Sequence, residues 1–116
     1  VWKEGGVMYE YLAKVTRVID GDTIEVDVDL GFKIRQTVII RLFGLNAPEL
    51  PTPEGKAAKE WLTKQILNQT VTIRTVKDRK EKYGRYLTFV DAWVERLQST
   101  QSINAMMISE GLAVKI

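Results

Sequence analysis

The side chains able to do chemistry in this chain are carboxylates and guanidiniums, because it contains no histidine and no cysteine. The commonest general base and the thiolate metal ligand are therefore both excluded. Chemistry must run on Asp, Glu, Arg, Lys or Tyr, or on a hard metal bound through oxygen. Such residues gather in three stretches. D-G-D-T occupies residues 20–23. R-L-F-G-L-N-A-P-E-L occupies residues 41–50, with Arg41 at one end, Glu49 near the other and an Asn46-Ala47-Pro48 corner between them. K-D-R-K-E-K-Y-G-R occupies residues 77–85; its five positive and two negative residues sum to +3 in a chain of net charge +2.

Each stretch has a bland reading beside the chemical one. Asp22 is a potential oxygen ligand, but an aspartate in D-G-D-T also serves a turn. Glu49 follows a proline that stiffens its approach, and equally fits a solvated loop glutamate. Arg41 sits inside an apolar strand, where a charge needs a partner unless an edge position lets it reach solvent. The basic segment, with Lys80, Lys82, Tyr83 and Arg85, can track phosphates and stack a base, or it can be a solvated hairpin connection.

The elements that must position these groups are legible from the patterning. A length of 116 residues predicts one domain, 1–116, with residues 1–8 as a flexible lead. Hydrophobic residues at 45% and charged residues at 28% are ordinary for a globular chain able to bury one core. No run approaches the ~20 apolar residues of a membrane span, so no membrane partner is expected. The chain begins at Val1 without a basic-and-apolar leader pattern, and its location is left open.

Residues 9–19 read as a strand with Leu12 out of step, and 20–23 as a turn. Residues 24–30 alternate strictly, apolar at the even positions and acidic at 25, 27 and 29, which predicts a half-buried strand. Gly31 turns the chain into a third strand, 34–43. Thr52 caps a helix with Pro53 at its first position and Glu54 favourable to its dipole. Ala58, Trp61, Leu62, Gln65 and Ile66 share one face of that helix, and Asn68 stops it. Residues 70–76 and 86–94 give two more strands, and 95–102 a polar connection. Ser102 caps a second helix, 103–110, closed by Gly111. The order β-β-β-α-β-β-α predicts a mainly β fold with helices, a five-stranded OB-type barrel plugged by the first helix. Read as a simple hairpin, the second and third strands place Asp22 and the Asn46–Glu49 corner at opposite ends.

Four motifs occur in order: V-I-D-G-D-T-I, R-L-F-G-L-N-A-P-E, E-K-Y-G-R and I-N-A-M-M-I-S-E-G-L-A. With them the chain resembles the staphylococcal (thermonuclease-like) nuclease family over about residues 9–114. The resemblance implies an OB barrel whose coiling brings the D-G-D-T aspartate to the R-L-x-G corner. It also implies Ca²⁺-dependent hydrolysis of DNA and RNA phosphodiester bonds. By position, Asp22, Asn46 and the backbone carbonyl of Ala47 would be the calcium ligands, and Glu49 the general base. Arg41 and Arg85 would hold the phosphate and stabilise the transition state. Tyr83 would sit beside the nucleotide, flanked by Lys80 and Lys82. The chemistry suits the residue types. Hard cations take oxygen ligands and polarise phosphoryl oxygens. Guanidiniums match phosphate oxygens, and fixed charge aimed at the transition state is usually the largest catalytic term.

One departure matters. The family's pattern has Asp where this chain has Asn46. An amide oxygen can still ligate calcium, but a negative charge is lost, which predicts metal binding weaker by about an order of magnitude or more. The base and both arginines are retained, which favours an enzyme acting on single-stranded DNA or RNA as a monomer. The alternatives are a non-catalytic OB-type nucleic-acid-binding module and a protein-interaction domain that keeps only the fold.

Overall fold

The computed structural model describes residues 8–80 and 85–116. The lead, 1–7, and residues 81–84 lie outside the described residues, and with them Lys82 and Tyr83. Met8, expected in the lead, already opens the first strand.

Strands β1 (Met8–Asp20), β2 (Thr23–Asp29) and β3 (Arg35–Leu42) form an antiparallel meander. The alternation in β2 turns Ile24, Val26 and Val28 into the core. Its acidic face is left outside, where Arg35 reaches Asp27 at 2.9 Å. Leu12 is out of step because it faces solvent while Ala13 and Val15 turn inward. The register of β1 shifts between Val15 and Arg17 and again between Val18 and Asp20. Such irregularities bend a strand and increase its twist, which a small barrel requires.

The chain continues through β4 (Leu45–Asn46), α1 (Pro53–Ile66), β5 (Thr70–Lys80), β6 (Tyr86–Val94), β7 (Ser99–Ser102), α2 (Ile103–Ser109) and β8 (Val114–Lys115). The main sheet runs β3-β2-β1-β5-β6-β7, and β3 also pairs with β6 in parallel through Ile40↔Tyr86, Arg41↔Leu87 and Leu42↔Thr88. That last pairing closes β1, β2, β3, β5 and β6 into the expected five-stranded OB-like barrel. The Thr52 hydroxyl caps α1 by accepting from Gly55 N–H at 3.0 Å. The α1 residues Ala58, Leu62 and Ile66 are fully buried and join the core, while Asn68 leaves the helix at φ +63°.

Three expectations need correction. First, antiparallel neighbours run in opposite directions, so the start of β2 faces the end of β3, and Thr23 pairs with Arg41. The D-G-D-T turn and the Asn46–Glu49 corner therefore share one end of the barrel; the simple-hairpin reading places them wrongly. Second, the polar connection 95–102 holds a 3-10 turn, Glu95–Leu97, and the strand β7, which pairs with β6. Its S-T-Q-S sequence has no apolar alternation, so only its backbone bonds reveal it. Third, β5 runs on to Lys80, whose backbone pairs with Tyr86, so the first part of the basic segment is strand. Strands β4 and β8, two residues each, pair with one another.

Asn104 fastens α2 to the barrel. It is 5% exposed. Its amide oxygen accepts from Val90 N–H at 2.9 Å, and its amide nitrogen donates to the carbonyls of Phe43 at 3.0 Å and Thr88 at 3.1 Å. Asn104→Ala leaves one buried N–H without its acceptor and two carbonyls without that donor. It should destabilise the domain by about 2–4 kcal/mol. Urea unfolding checks this as a lower midpoint at unchanged slope; a midpoint equal to wild type would show that the three bonds contribute nothing net.

Candidate active site

The site is built where three chain segments meet. Asp20 Oδ1 accepts from Asp22 N–H at 3.1 Å, an aspartate turn that ends β1 and begins β2. A Cβ at Gly21 would lie 2.7 Å from Ala47 Cβ and 2.8 Å from Ala58 Cβ. Only glycine lets the turn nest against the corner and against α1 together. Leu42 N–H donates to Asp22 O at 2.8 Å, joining the turn to the end of β3.

The Asp22 carboxylate is the hub. Its Oδ2 accepts from Ala47 N–H at 3.1 Å and from the Arg41 guanidinium at 3.2 Å, and its Oδ1 accepts from the Thr23 hydroxyl at 3.1 Å. The Asp22 and Arg41 side chains are only 12% and 15% exposed, so Arg41 is not a solvated edge residue. Arg41 also donates to the Leu45 carbonyl at 3.3 Å and, through the same nitrogen that meets Asp22, to Asn46 Oδ1. Asn46 lies on β4, held by β8 through its pairing with Val114. Arg85 donates to the Thr23 hydroxyl at 3.2 Å, which links the second guanidinium to the hub through one side chain.

Glu49 is held by its backbone and not by its side chain. Its carbonyl accepts from Thr52 N–H at 3.1 Å and from the Thr52 hydroxyl. Gly55, in the first turn of α1, packs so closely that a Cβ there would collide with the Glu49 carbonyl and lie 2.9 Å from Pro48 O. The carboxylate is exposed, and among the described residues it makes no hydrogen bond or ion pair. Five of the expected site residues thus come together: Asp22, Arg41, Asn46, Ala47 and Arg85. Glu49 stands on the same corner, its carboxylate neither hydrogen-bonded nor ion-paired to any of them. Lys80 is placed by its backbone pairing with Tyr86, the neighbour of Arg85.

Residue-type reasoning missed Asp20 and Thr23. The signal was present in D-G-D-T: carboxylates two residues apart across a glycine turn, then a hydroxyl. Burial raises the Asp20 pKa, and the hydrogen bond and charge of Asp22 raise it further. Burial also opposes ionisation of Asp22. The hydrogen bonds from Asp20 and Ala47, the Arg41 charge and the Thr23 hydroxyl outweigh it and hold Asp22 below the ordinary carboxylate range. Asp22 is therefore the charged member of the pair and Asp20 the more readily protonated one.

The donor atoms at this corner are of the type that suits a hard cation. Oxygens of Asp22, Leu45 and Asn46 already gather about one positive group, the Arg41 guanidinium. All of them are oxygens, the type such ions prefer. The negative charge is sparse: no cluster of three or more Asp or Glu able to hold a metal occurs among the described residues.

A closed OB-like barrel with a carboxylate–guanidinium corner at one end is the class that the fold and the geometry define. The family model described as "Staphylococcal nuclease homologue" matches residues 39–116, and the chain belongs to that family. It is 38% identical over 109 residues to the thermonuclease of Staphylococcus intermedius, covering 89% of this chain and 57% of that protein. It is 34% identical over 108 residues to the micrococcal nuclease of Shigella flexneri, covering 90% and 58%. It is 32% identical over 100 residues to an uncharacterized endonuclease of Escherichia coli, covering 86% and 58%. The chain thus spans less than two thirds of the length of these relatives.

The two aspartates have opposite pH signatures. The lowered pKa of Asp22 contributes stability at pH values above the ordinary carboxylate pKa, lost as pH falls through its folded value. The raised pKa of Asp20 does the reverse: its contribution is full below the ordinary value and lost as pH rises through the folded one. Asp20→Asn keeps the oxygen that accepts from Asp22 N–H and removes the ionisation. In chelator, the variant should be at least as stable as wild type at neutral pH, with the difference vanishing as pH falls to about 4. Urea unfolding across that range checks this; a variant less stable than wild type at neutral pH would refute it.

Proposed function

We propose that this domain is a Ca²⁺-dependent phosphodiesterase acting on single-stranded DNA or RNA, with calcium affinity lowered by Asn46. The observation that carries the reading is the meeting of Asp22, Asn46, Arg41 and Arg85 at one barrel end, with the exposed Glu49 carboxylate, unpartnered among the described residues, on the same corner. Named relatives that are thermonucleases, micrococcal nucleases and endonucleases support it.

Asp22, Asn46 and the Ala47 carbonyl would hold the ion, with Asp20 behind Asp22. Calcium would supply Lewis-acid polarisation of a phosphoryl oxygen and charge neutralisation. The other steps belong to the protein. Glu49, its carboxylate exposed and presented by a proline-stiffened backbone, takes the proton of the attacking water. Arg41 and Arg85 aim N–H donors at the phosphate and at the charge that grows on it. Arg41 can hold Asp22 and still serve the phosphate, because a guanidinium carries five N–H donors in a planar fork. Tyr83, with Lys80 and Lys82, sits beside the nucleotide in this reading, and the domain acts as a monomer. A single strand suits a site that must reach one phosphate and offer a face to one base.

The test is cleavage of a labelled single-stranded oligonucleotide across a calcium titration from none to tens of millimolar. Wild type should cut only with calcium. Glu49→Gln should lower kcat by about 10²–10⁴. Asn46→Asp should move half-maximal calcium down by about tenfold or more. No cutting by wild type or Asn46→Asp at any calcium concentration would sink the enzyme reading and leave the nucleic-acid-binding module.

A further inference from the structure

Two surface grooves meet on α1. The first begins at Leu50 and Pro51, directly after Glu49, and runs past Lys56 and Lys59 to Lys64. The second begins at Lys64 and leads by Gln69 to Trp93 and Arg96. Lys64 lines both, so the two grooves adjoin at that residue; taken together as a track, they span from the residues after Glu49 to the 3-10 turn after β6. Lys56 and Lys64 are exposed and Lys59 half-buried, and none of the three forms an ion pair among the described residues. The carboxylates on the track are Glu60 in the first groove and Glu95 in the second. Glu95 is engaged: its Oε2 accepts from Trp93 Nε1–H at 2.9 Å, which leaves a 51% exposed indole restrained in orientation. Arg96 is engaged with Glu110 at 3.4 Å.

We propose that a single nucleic-acid strand continues along this track beyond the scissile phosphate. Lys56, Lys59 and Lys64 neutralise its phosphates, and Trp93 stacks a base at the far end. The proposal rests on the nuclease reading for its starting point, the Glu49 corner. Charge complementarity selects the occupant. Three cations without carboxylate partners among the described residues suit a polyanion, and a positive groove ending on an exposed aromatic face is how proteins hold single strands without reading sequence. The geometry agrees. Lys56 and Lys64 are separated by about 12 Å of helix rise, enough for about three to four phosphates of a stacked strand at about 3.4 Å each. Leu50, 38% exposed, and Pro51 offer apolar surface between the reacting phosphate and the first lysine.

Affinity for long strands is then set apart from chemistry at the corner. Fluorescence anisotropy of 4- and 16-nucleotide single strands on the Glu49→Gln protein in calcium tests this without relying on cleavage. Replacing Lys56, Lys59 and Lys64 together by Gln should weaken 16-mer binding by about tenfold or more and lower the log–log salt slope by about 2. Loss for the 4-mer should be much smaller, and Arg at the three positions should restore the long-strand affinity. Trp93→Ala should cost the 16-mer about fivefold or more. An unchanged 16-mer affinity and salt slope in the lysine variant would overturn the proposal. So would equal loss for both lengths. Wild-type cleavage of the same oligonucleotides, run in parallel, reports on the nuclease reading separately.

Discussion

One partly buried carboxylate organises this end of the molecule. Asp22 ties the start of β2 to the end of β3 through Arg41, and to the corner after β4 through Ala47 N–H. Moving such an ion out of water is costly unless hydrogen bonds and an opposite charge replace the lost solvation. The hydrogen bond from Asp20, with Ala47 N–H, the Arg41 charge and the Thr23 hydroxyl, outweighs the burial and holds the Asp22 pKa below the ordinary carboxylate range. The same contacts set the spacing of the other groups around the hub. Arg41 is aimed by Asp22, Asn46 by Arg41, and Arg85 by the hydroxyl that also donates to Asp22. Gly21 and Gly55 have a related duty. Each removes a side chain where the turn, the corner and α1 press together.

The asparagine at 46 changes the charge balance of this hub. With Asn46, the carboxylate of Asp22 and the guanidinium of Arg41 balance one another in charge. An aspartate at 46 would put a second carboxylate on the same guanidinium nitrogen. A metal-free site of that kind carries excess negative charge, which calcium relieves. On the proposed calcium-dependent reading, the excess is smaller with Asn46, and so would be the gain on binding the ion. In this reading Asn46 weakens calcium binding twice, by removing a charged ligand and by leaving the metal-free state better satisfied.

The barrel itself is legible because burial imposes a period of two on its strands. Residues 24–30 show it plainly, and Leu12 shows its exception. Thr52, Pro53 and Asn68 mark α1 at both ends, since caps have local chemistry. The ordered motifs carry the site residues and the family. What local pattern cannot carry is pairing. The polar strand β7 has no buried face to write into its sequence. The two-residue strands β4 and β8 exist only through one another. The position of Asp22 beside Arg41 follows from antiparallel direction alone, and the simple-hairpin reading fails because it applies that rule to the wrong strand ends. Asp20 reads as turn chemistry, although its carboxylate serves the turn and shifts the ionisation of Asp22 together.

Barrel closure has a separate consequence for the two arginines. Arg41 sits at the end of the β2–β3 hairpin, where it meets Asp22, and its backbone also pairs with Leu87 across the β3–β6 seam. Arg85 comes from the far side of the sequence and reaches Thr23 where β6 lies parallel to β3. That seam holds only three paired positions, reinforced by the bond from Phe43 N–H to the Thr88 carbonyl at 2.9 Å. Asn104 bonds to the carbonyls of Phe43 and Thr88 and to Val90 N–H, so α2 clamps the seam from outside. Local opening in proteins follows the elements with fewest buried contacts and bonds. The β3–β6 seam is short and includes Arg41 itself, so an opening there would part Arg85 from Thr23 and release one edge of the strand that carries Arg41. The hub joins the β2–β3 hairpin to the corner after β4; bringing the second arginine to it takes the closed barrel as well, and Asn104 of α2 bonds to both sides of that closure.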